Sequence, residues 1–204
     1  LSALKQLAFM VQSGALRHVG LTNFDTLHLK NLNDNGIRVA SNQVQYSIID
    51  RRPEAKMAPY CADKGIHLLT YGTLAGGLLT DRYLDQPEPR KADLNTASLR
   101  KYKQMIDIWG GWELHQELLR TLRAIADKHN VSIANVAVRY VLDKPAVAGV
   151  IIGARLGISD NRDENRRVFD FMLDDDDLAQ IHSITAKSND LFKSIGDCGA
   201  EYRR

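Results

Sequence analysis

The stretch Val147-Ala-Gly-Val-Ile-Ile-Gly153 decides the fold. It is short, rich in valine and isoleucine and closed by glycine, the pattern of a strand buried on both faces in a parallel sheet. Upstream of it, Ser132 stands as a cap for a helix through Val136, Ala137, Tyr140 and Val141, and from Trp112 to Asn130 the residues Leu114, Leu118, Leu122 and Ile125 recur at helical spacing. Further back, three more strand-like runs appear, His18 to Asn23, Val39 to Tyr46 and Ile66 to Gly72. Helical stretches separate them. One follows Asp25 or Thr26 through Leu27, Leu29 and Leu32 to Asn35-Gly36. Another runs from Pro53 through Met57, Tyr60 and Cys61 to Lys64-Gly65. An opening helix carries Leu4, Leu7, Ala8 and Val11 on one stripe, and two later ones span Asn161 to Phe169 and Asp174 to Thr185.

Strands alternating with helices imply right-handed crossovers and a parallel sheet. A barrel of the (βα)8 type closes eight such strands, so four make about half of one. The fold class is therefore α/β, a TIM-type (βα)8 barrel family, here with four parallel strands and surrounding helices in one domain over residues 1–204. Residues 74–111, with Gly76-Gly77, Pro87, Pro89 and many charges, read as one long loop insertion. Residues 187–204 read as a C-terminal tail of little periodicity. Four curved strands with helices on one side would expose an apolar inner face, which calls for a homodimer or for a missing N-terminal half. A start inside a helical pattern at Leu1, without methionine, points to the same missing half.

Composition removes other classes. With 204 residues, 44% hydrophobic and 25% charged, the chain is an ordinary globular one. Its formal charge of +2 gives no basic field for a nucleic acid partner. The longest apolar run, Val147 to Ile152, falls far short of the ~20 residues of a membrane helix. Cys61 and Cys198 are too few and too distant in sequence for a disulfide framework and fit a reducing, cytoplasmic setting.

Glycine-rich nucleotide fingerprints, zinc signatures and nucleophile elbows are all absent. What remains is polar residues at the C-terminal ends of the strands: Thr22-Asn23, Gln43, Tyr71-Gly72 and Gly153-Ala-Arg155. On βα barrels that face binds substrates and cofactors. The histidines His18, His28, His67, His115, His129 and His182 lie before strands or on helices and read as satisfied or solvated groups. Asp174 to Asp177 reads as a helix start, because consecutive helical residues turn ~100° apart and cannot converge on a metal, while acids suit the first turn. Trp109-Gly-Gly-Trp112 reads equally as an aromatic ligand lip or as a helix-to-helix turn. Asn130-Val-Ser132 fits a glycosylation sequon, but Ser132 is better used as a cap.

On four segments the sequence resembles the aldo-keto reductase family: Val19-Gly-Leu-Thr-Asn-Phe24, Ser41-Asn-Gln-Val-Gln-Tyr-Ser47, Leu69-Thr-Tyr-Gly-Thr-Leu-Ala-Gly-Gly-Leu-Leu79, and Val150-Ile-Ile-Gly-Ala-Arg155 leading to Glu164-Asn165. The resemblance covers nearly the whole chain and corresponds to the second half of the barrel. It implies an NADP(H)-dependent oxidoreductase acting on a small-molecule carbonyl or alcohol, with this chain supplying the cofactor-binding half. A non-catalytic NADP(H)-binding sensor or accessory subunit is the alternative.

Carried over by position, the resemblance assigns Thr22, Asn23 and Gln43 to the nicotinamide carboxamide and Tyr71 to the face of its ring. Gly72, Leu74, Gly76 and Leu78 belong to the loop over the pyrophosphate, with Arg82 as a nearby basic residue. Gly153, Arg155 and Asn161 face the adenosine 2′-phosphate, and Glu164 and Asn165 hold the adenine edge. Gly72-Thr73 stands where the family commonly has Ser-Pro, and Thr22 where it usually has serine. The family's catalytic aspartate, tyrosine, lysine and histidine come from the first half of the barrel, so no catalytic residue is assigned here.

Overall fold

The computed structural model describes residues 2–153, 157 and 160–199. Four parallel strands, β1 (Gly20–Thr22), β2 (Ser41–Gln45), β3 (His67–Tyr71) and β4 (Val147–Val150), form one sheet in the order β1-β2-β3-β4. Each is linked to the next through helix: α2 (Thr26–Asp34), then α3 (Arg52–Ala55) with α4 (Met57–Lys64), then α5 (Ala97–Trp109), α6 (Gly111–Lys128) and α7 (Ile133–Leu142). A leading helix α1 (Ser2–Gln12) precedes the sheet, and α8 (Arg162–Arg166), α9 (Asp175–Thr185) and α10 (Leu191–Ile195) follow it. The parallel α/β architecture read from the sequence is the one observed.

Local chemistry explains the boundaries. Asp25 caps α2 by accepting from the His28 amide at 2.8 Å, and Gly65 ends α4 at φ +64°. Ser132 and Asn135 cap α7 reciprocally. The single helix expected after Pro53 is two. Pro59 has no N–H to give to the Ala55 carbonyl one turn back, and the chain breaks at Lys56, φ −144°.

Two corrections concern the segments expected to be irregular. The stretch 74–111 contains α5, a 13-residue helix capped by Thr96 and buried through Tyr102, Met105, Ile106 and Trp109. Three helices, not two, therefore join β3 to β4. The rest of the stretch is pinned by α6: Trp112 Nε1 donates to the Gln86 carbonyl at 3.0 Å, and Gln116 bonds Tyr83 and Asp85 at 2.9 and 2.7 Å. The tail includes α10, and Asn189 bonds the last carbonyls of α5, those of Ile108 and Trp109.

Strand pleat shows where the core lies. Val44 and Leu68 pack with α2 and α4, while Val147 and Val150 pack against the larger cluster of α5, α6, α7 and α9. The opposite side of the sheet carries Thr22, Ser41, Gln43, His67, Leu69 and Tyr71, all exposed or half-buried and in register across β1, β2 and β3. The inner face is thus mainly polar, which corrects the expectation of an apolar one. The same geometry corrects the reading of β4 as buried on both faces: it is an edge strand, Ala148 is exposed, and Ile151 just beyond it is 46% exposed.

Candidate functional site

The C-terminal ends of β1, β2 and β3 converge on Asn23. Its backbone adopts φ +56°, a conformation that asparagine tolerates better than most residues, and its amide donates to the Gln43 carbonyl at 2.9 Å. Behind it, fully buried Asn42 clamps the next residue, donating to the Phe24 carbonyl at 2.8 Å and accepting from the Phe24 amide at 3.3 Å. The Tyr71 hydroxyl, from the end of β3, donates to Asn23 Oδ1 at 2.8 Å. Thr22 is exposed and Gln43 half-buried on the same face, paired in register. The four residues read from the sequence at this end are brought together. Asn42, which clamps Phe24 directly after Asn23, was missed because a buried asparagine looks in sequence like any polar strand residue.

The C-terminal tail seals the back of this corner. Asp197 Oδ2 accepts from the Thr26 amide at 2.9 Å, Cys198 is buried in the core of α2 and α4, and Gly199 lies against the Asn23 carbonyl. A Cβ at 199 would stand 2.6 Å from the Asn23 carbonyl carbon. Beside it a buried ion pair sets the turn after β2: Arg52 Nε and Nη2 reach the two oxygens of Asp50 at 2.8 and 2.9 Å, and Gln45 adds a third hydrogen bond at 2.8 Å.

From Tyr71 the chain turns at Gly72 into a second part of the site, a cleft of about 530 Å³. Gly72, Leu74 and Gly76 form one wall, and Gly153, Asn161, Glu164 and Asn165 another. The loop repeatedly enters left-handed space, at Gly72 (φ +68°), Ala75 (+48°), Gly76 (+67°) and Gly77 (+101°). The loop closes on itself, the amides of Ala75 and Gly77 donating to the carbonyls of Gly72 and Leu74 at 2.9 and 2.8 Å. On the far wall Asn135, the capping residue of α7, donates to the Glu164 carbonyl at 2.8 Å. Glu164 itself keeps Oε1 buried without a hydrogen-bond partner. A buried carboxylate oxygen left unmatched is costly unless a donor from elsewhere completes it.

Three sequence assignments fall differently. Leu78 is fully buried in the core, does not line the cleft, and spends its amide on the Ala75 carbonyl at 3.2 Å. Arg82 does not line the cleft; its guanidinium lies 5.7 Å from the Tyr83 ring. Arg155 lies outside the described residues. In turn, Ser98 and Tyr102 of α5 line the cleft and were not foreseen. Their signal was present in the spacing of Tyr102, Met105, Ile106 and Trp109, masked by the proline and charge upstream.

The remaining polar clusters are structural. Asp174, Asp176 and Asp177 bring oxygens within 4.8 Å of one another, against the expectation that these carboxylates cannot converge, and Asp174 and Asp177 open α9 as a capping box. Lys128 Nζ meets Asp174 and Asp177 at 2.6 and 2.8 Å and His129 meets Asp177 at 2.7 Å, holding the Asp174 carboxyl down at about 2 through the Lys128 contact. Trp109 and Trp112 are buried on either side of Gly110-Gly111, a helix-to-helix turn. His28 pairs with Asp25 at 2.8 Å. His115 departs from expectation: it is fully buried, neither ring nitrogen has a well-formed hydrogen bond, and it packs on Trp112 at 4.7 Å. Among the described residues no histidine stands at the C-terminal end of a strand, and no helix is long and apolar enough to cross a membrane.

Comparison with known proteins gives a consistent picture. The model of the "Aldo/keto reductase family" matches residues 1–186. Protein tas of Escherichia coli is 29% identical over 190 residues, a match that covers 90% of this chain and 52% of that protein. Flagellar radial spoke protein 5 of Chlamydomonas reinhardtii is 32% identical over 130 residues, 63% of this chain and 24% of the relative. Among solved structures, a glycerol dehydrogenase from Gluconobacter oxydans superposes with a TM-score of 0.73 at 22% identity, covering 95% of this chain and 54% of its own. The chain spans about half the length of these proteins, or less.

Proposed function

The chain belongs to the aldo/keto reductase family, its four strands corresponding to about half of a barrel, and on that premise we propose that it binds NADP(H) along the line from Asn23 to Glu164. The observation that carries this reading is the convergence of Gly72, Leu74 and Gly76 with Gly153, Asn161, Glu164 and Asn165 around one cleft, whose lining begins at Gly72, the residue that follows Tyr71 in the chain. The residues fit such a group. The orphaned Glu164 oxygen matches an amino donor such as that of adenine, and Gly72 and Gly76, without side chains, leave room along the loop for a diphosphate. At the other end Asn23 Oδ1 is engaged by Tyr71, which directs the Asn23 amide N–H groups to an incoming carboxamide oxygen. The half-buried ring of Tyr71 offers its face to a flat heterocycle, beside Thr22 and Gln43. Gly153 and Asn161 line the part of the cleft assigned to the 2′-phosphate, and Arg155 is assigned there from the family resemblance alone, its guanidinium fork being the reason to propose NADP(H) over NAD(H).

Bound in this way, the nicotinamide supplies or accepts the hydride that converts a small-molecule carbonyl to an alcohol or back. The chain's own part is orientation. Tyr71, the tyrosine nearest the ring site, spends its proton on Asn23, so these residues leave proton transfer to other parts of the barrel, whether from the first half or a second subunit. The competing reading, a sensor or accessory subunit that binds NADP(H) without turnover, shares the same cleft. Both suit a reducing, cytoplasmic setting, in which Cys61 and Cys198 are buried thiols.

Calorimetric titration tests the proposal. NADPH should bind saturably with one site per chain and more tightly than NADH, while the 204-residue chain by itself should reduce no carbonyl substrate. Absence of saturable binding by either nucleotide overturns the reading.

A further inference from the structure

Gly72 and Gly76 share a neighbour. A Cβ at position 72 would collide with the Tyr102 hydroxyl and lie 2.9 Å from its Cζ, and a Cβ at position 76 would lie 2.8 Å from Cδ2 of the same ring. Both glycines are left-handed, so the loop has been shaped to pass along the length of one tyrosine, with the hydroxyl at the Gly72 end. Tyr102 is only 9% exposed yet lines the cleft. One turn earlier on α5, Ser98 also lines it, its Oγ 3.6 Å from the Cβ position of Gly76. Positions four apart on a helix lie on one face, so α5 presents two hydroxyl groups in a row to the glycine loop.

The ring of Tyr102 is buried, and the residue still lines the cleft. Here the polar end lies at the first left-handed residue of the loop, where side-chain volume has been removed to admit it. We infer that Tyr102 is a ligand-contact residue, its hydroxyl donating to the diphosphate of a dinucleotide held in the cleft, in place of a side-chain donor that Gly72 cannot supply. This rests on the NADP(H) reading and adds a recognition element from α5, outside the strand ends and the loop itself.

The test compares the whole chain and its Tyr102→Phe variant, which keeps the ring and removes only the hydroxyl. Calorimetry is run with three probes: NADPH, 2′-phospho-ADP-ribose, which keeps the diphosphate and lacks nicotinamide, and adenosine 2′-monophosphate, which lacks the diphosphate. Loss of a hydrogen bond to a charged group should weaken the first two about tenfold and leave the third unchanged. Equal affinities of variant and parent for all three probes overturn the assignment of Tyr102 while leaving the NADP(H) reading intact. A uniform loss across all three also overturns it, because it marks a packing role. If the parent chain binds none of them, the NADP(H) reading itself fails, and this assignment with it.

Discussion

The Tyr71 hydroxyl donates to Asn23 Oδ1 at 2.8 Å and so ties the ends of β3 and β1, two strands that are not neighbours in the sheet. The bond passes over the end of β2 on the inner face, where Gln43 stands. It fixes which way the Asn23 amide is turned, because an asparagine that accepts with its oxygen presents its N–H groups elsewhere.

Removing that hydroxyl should have a small cost in stability and a larger one in recognition. Tyr71→Phe retains the ring but frees the Asn23 amide to rotate. We expect a stability loss of about 1 kcal/mol and a roughly fivefold weaker NADPH affinity, with adenosine 2′-monophosphate unaffected. Denaturant titration and calorimetry on the same preparation check both. An unchanged NADPH affinity would mean that Asn23 does not meet the nicotinamide.

The sheet and its helices were legible because periodicity and caps are local: Asp25, Gly65 and Ser132 act within one turn of themselves. The helix α5 was not, since the stretch before it, Asp85 to Asp93, combines prolines and charges that signal loop. Its burial depends on α6 and on residues of the β3–α5 loop, as with the Tyr102 contacts to Gly72 and Gly76. The same holds in the site. Thr22, Asn23, Gln43 and Tyr71 could be placed because strand ends share one face of a barrel. Arg82 and Leu78 could not, because whether a loop side chain turns to the cleft, to Tyr83 or to the core is decided by packing that no spacing encodes. The polar character of the inner face was visible in the alternation of Ser41, Gln43, His67 and Tyr71, but only once the register of β2 and β3 was known.

Buried His115 makes stability depend on acid. Burial is the main cause that lowers its pKa from 6.5 to about 4, with the Leu78 backbone opposing and the Lys103 charge adding to the fall. The unfolded chain therefore takes up a proton at a pH where the folded chain refuses it. The folded state keeps its full stability above the unfolded value, loses it as pH falls through the window from 6.5 to about 4, and loses nothing more from this group below that. Between pH 7 and pH 5 the loss should be about 2 kcal/mol, read from urea midpoints, and His115→Leu should show a shallower fall than the parent. Parallel pH profiles for the two proteins would remove His115 as the cause.

Gly199 offers a way to loosen the Asn23 corner from behind without touching it. Its backbone is at φ +92°, and an added Cβ would collide with the Asn23 carbonyl oxygen and approach the Asp25 amide at 3.2 Å. Gly199→Ala cannot be absorbed by a side-chain movement, since the obstacles are backbone atoms of a residue already at φ +56°. The tail must lift instead, breaking the bond from the Thr26 amide to Asp197 and exposing Cys198, which the folded tail keeps 1% exposed. The other cysteine provides a quiet background: Cys61 is fully buried, and burial, with the Asp197 charge adding to it, pushes its thiol up to about 12. Titration with a thiol reagent under native conditions should thus find little reaction in the parent and about one fast thiol in Gly199→Ala, which Cys198→Ser in the same background should abolish. NADPH affinity should fall about threefold to tenfold as the Asn23 backbone relaxes. If the thiol appears while affinity is unchanged, the tail seals the corner without supporting it. If neither changes, the tail does not hold Asn23 in place at all.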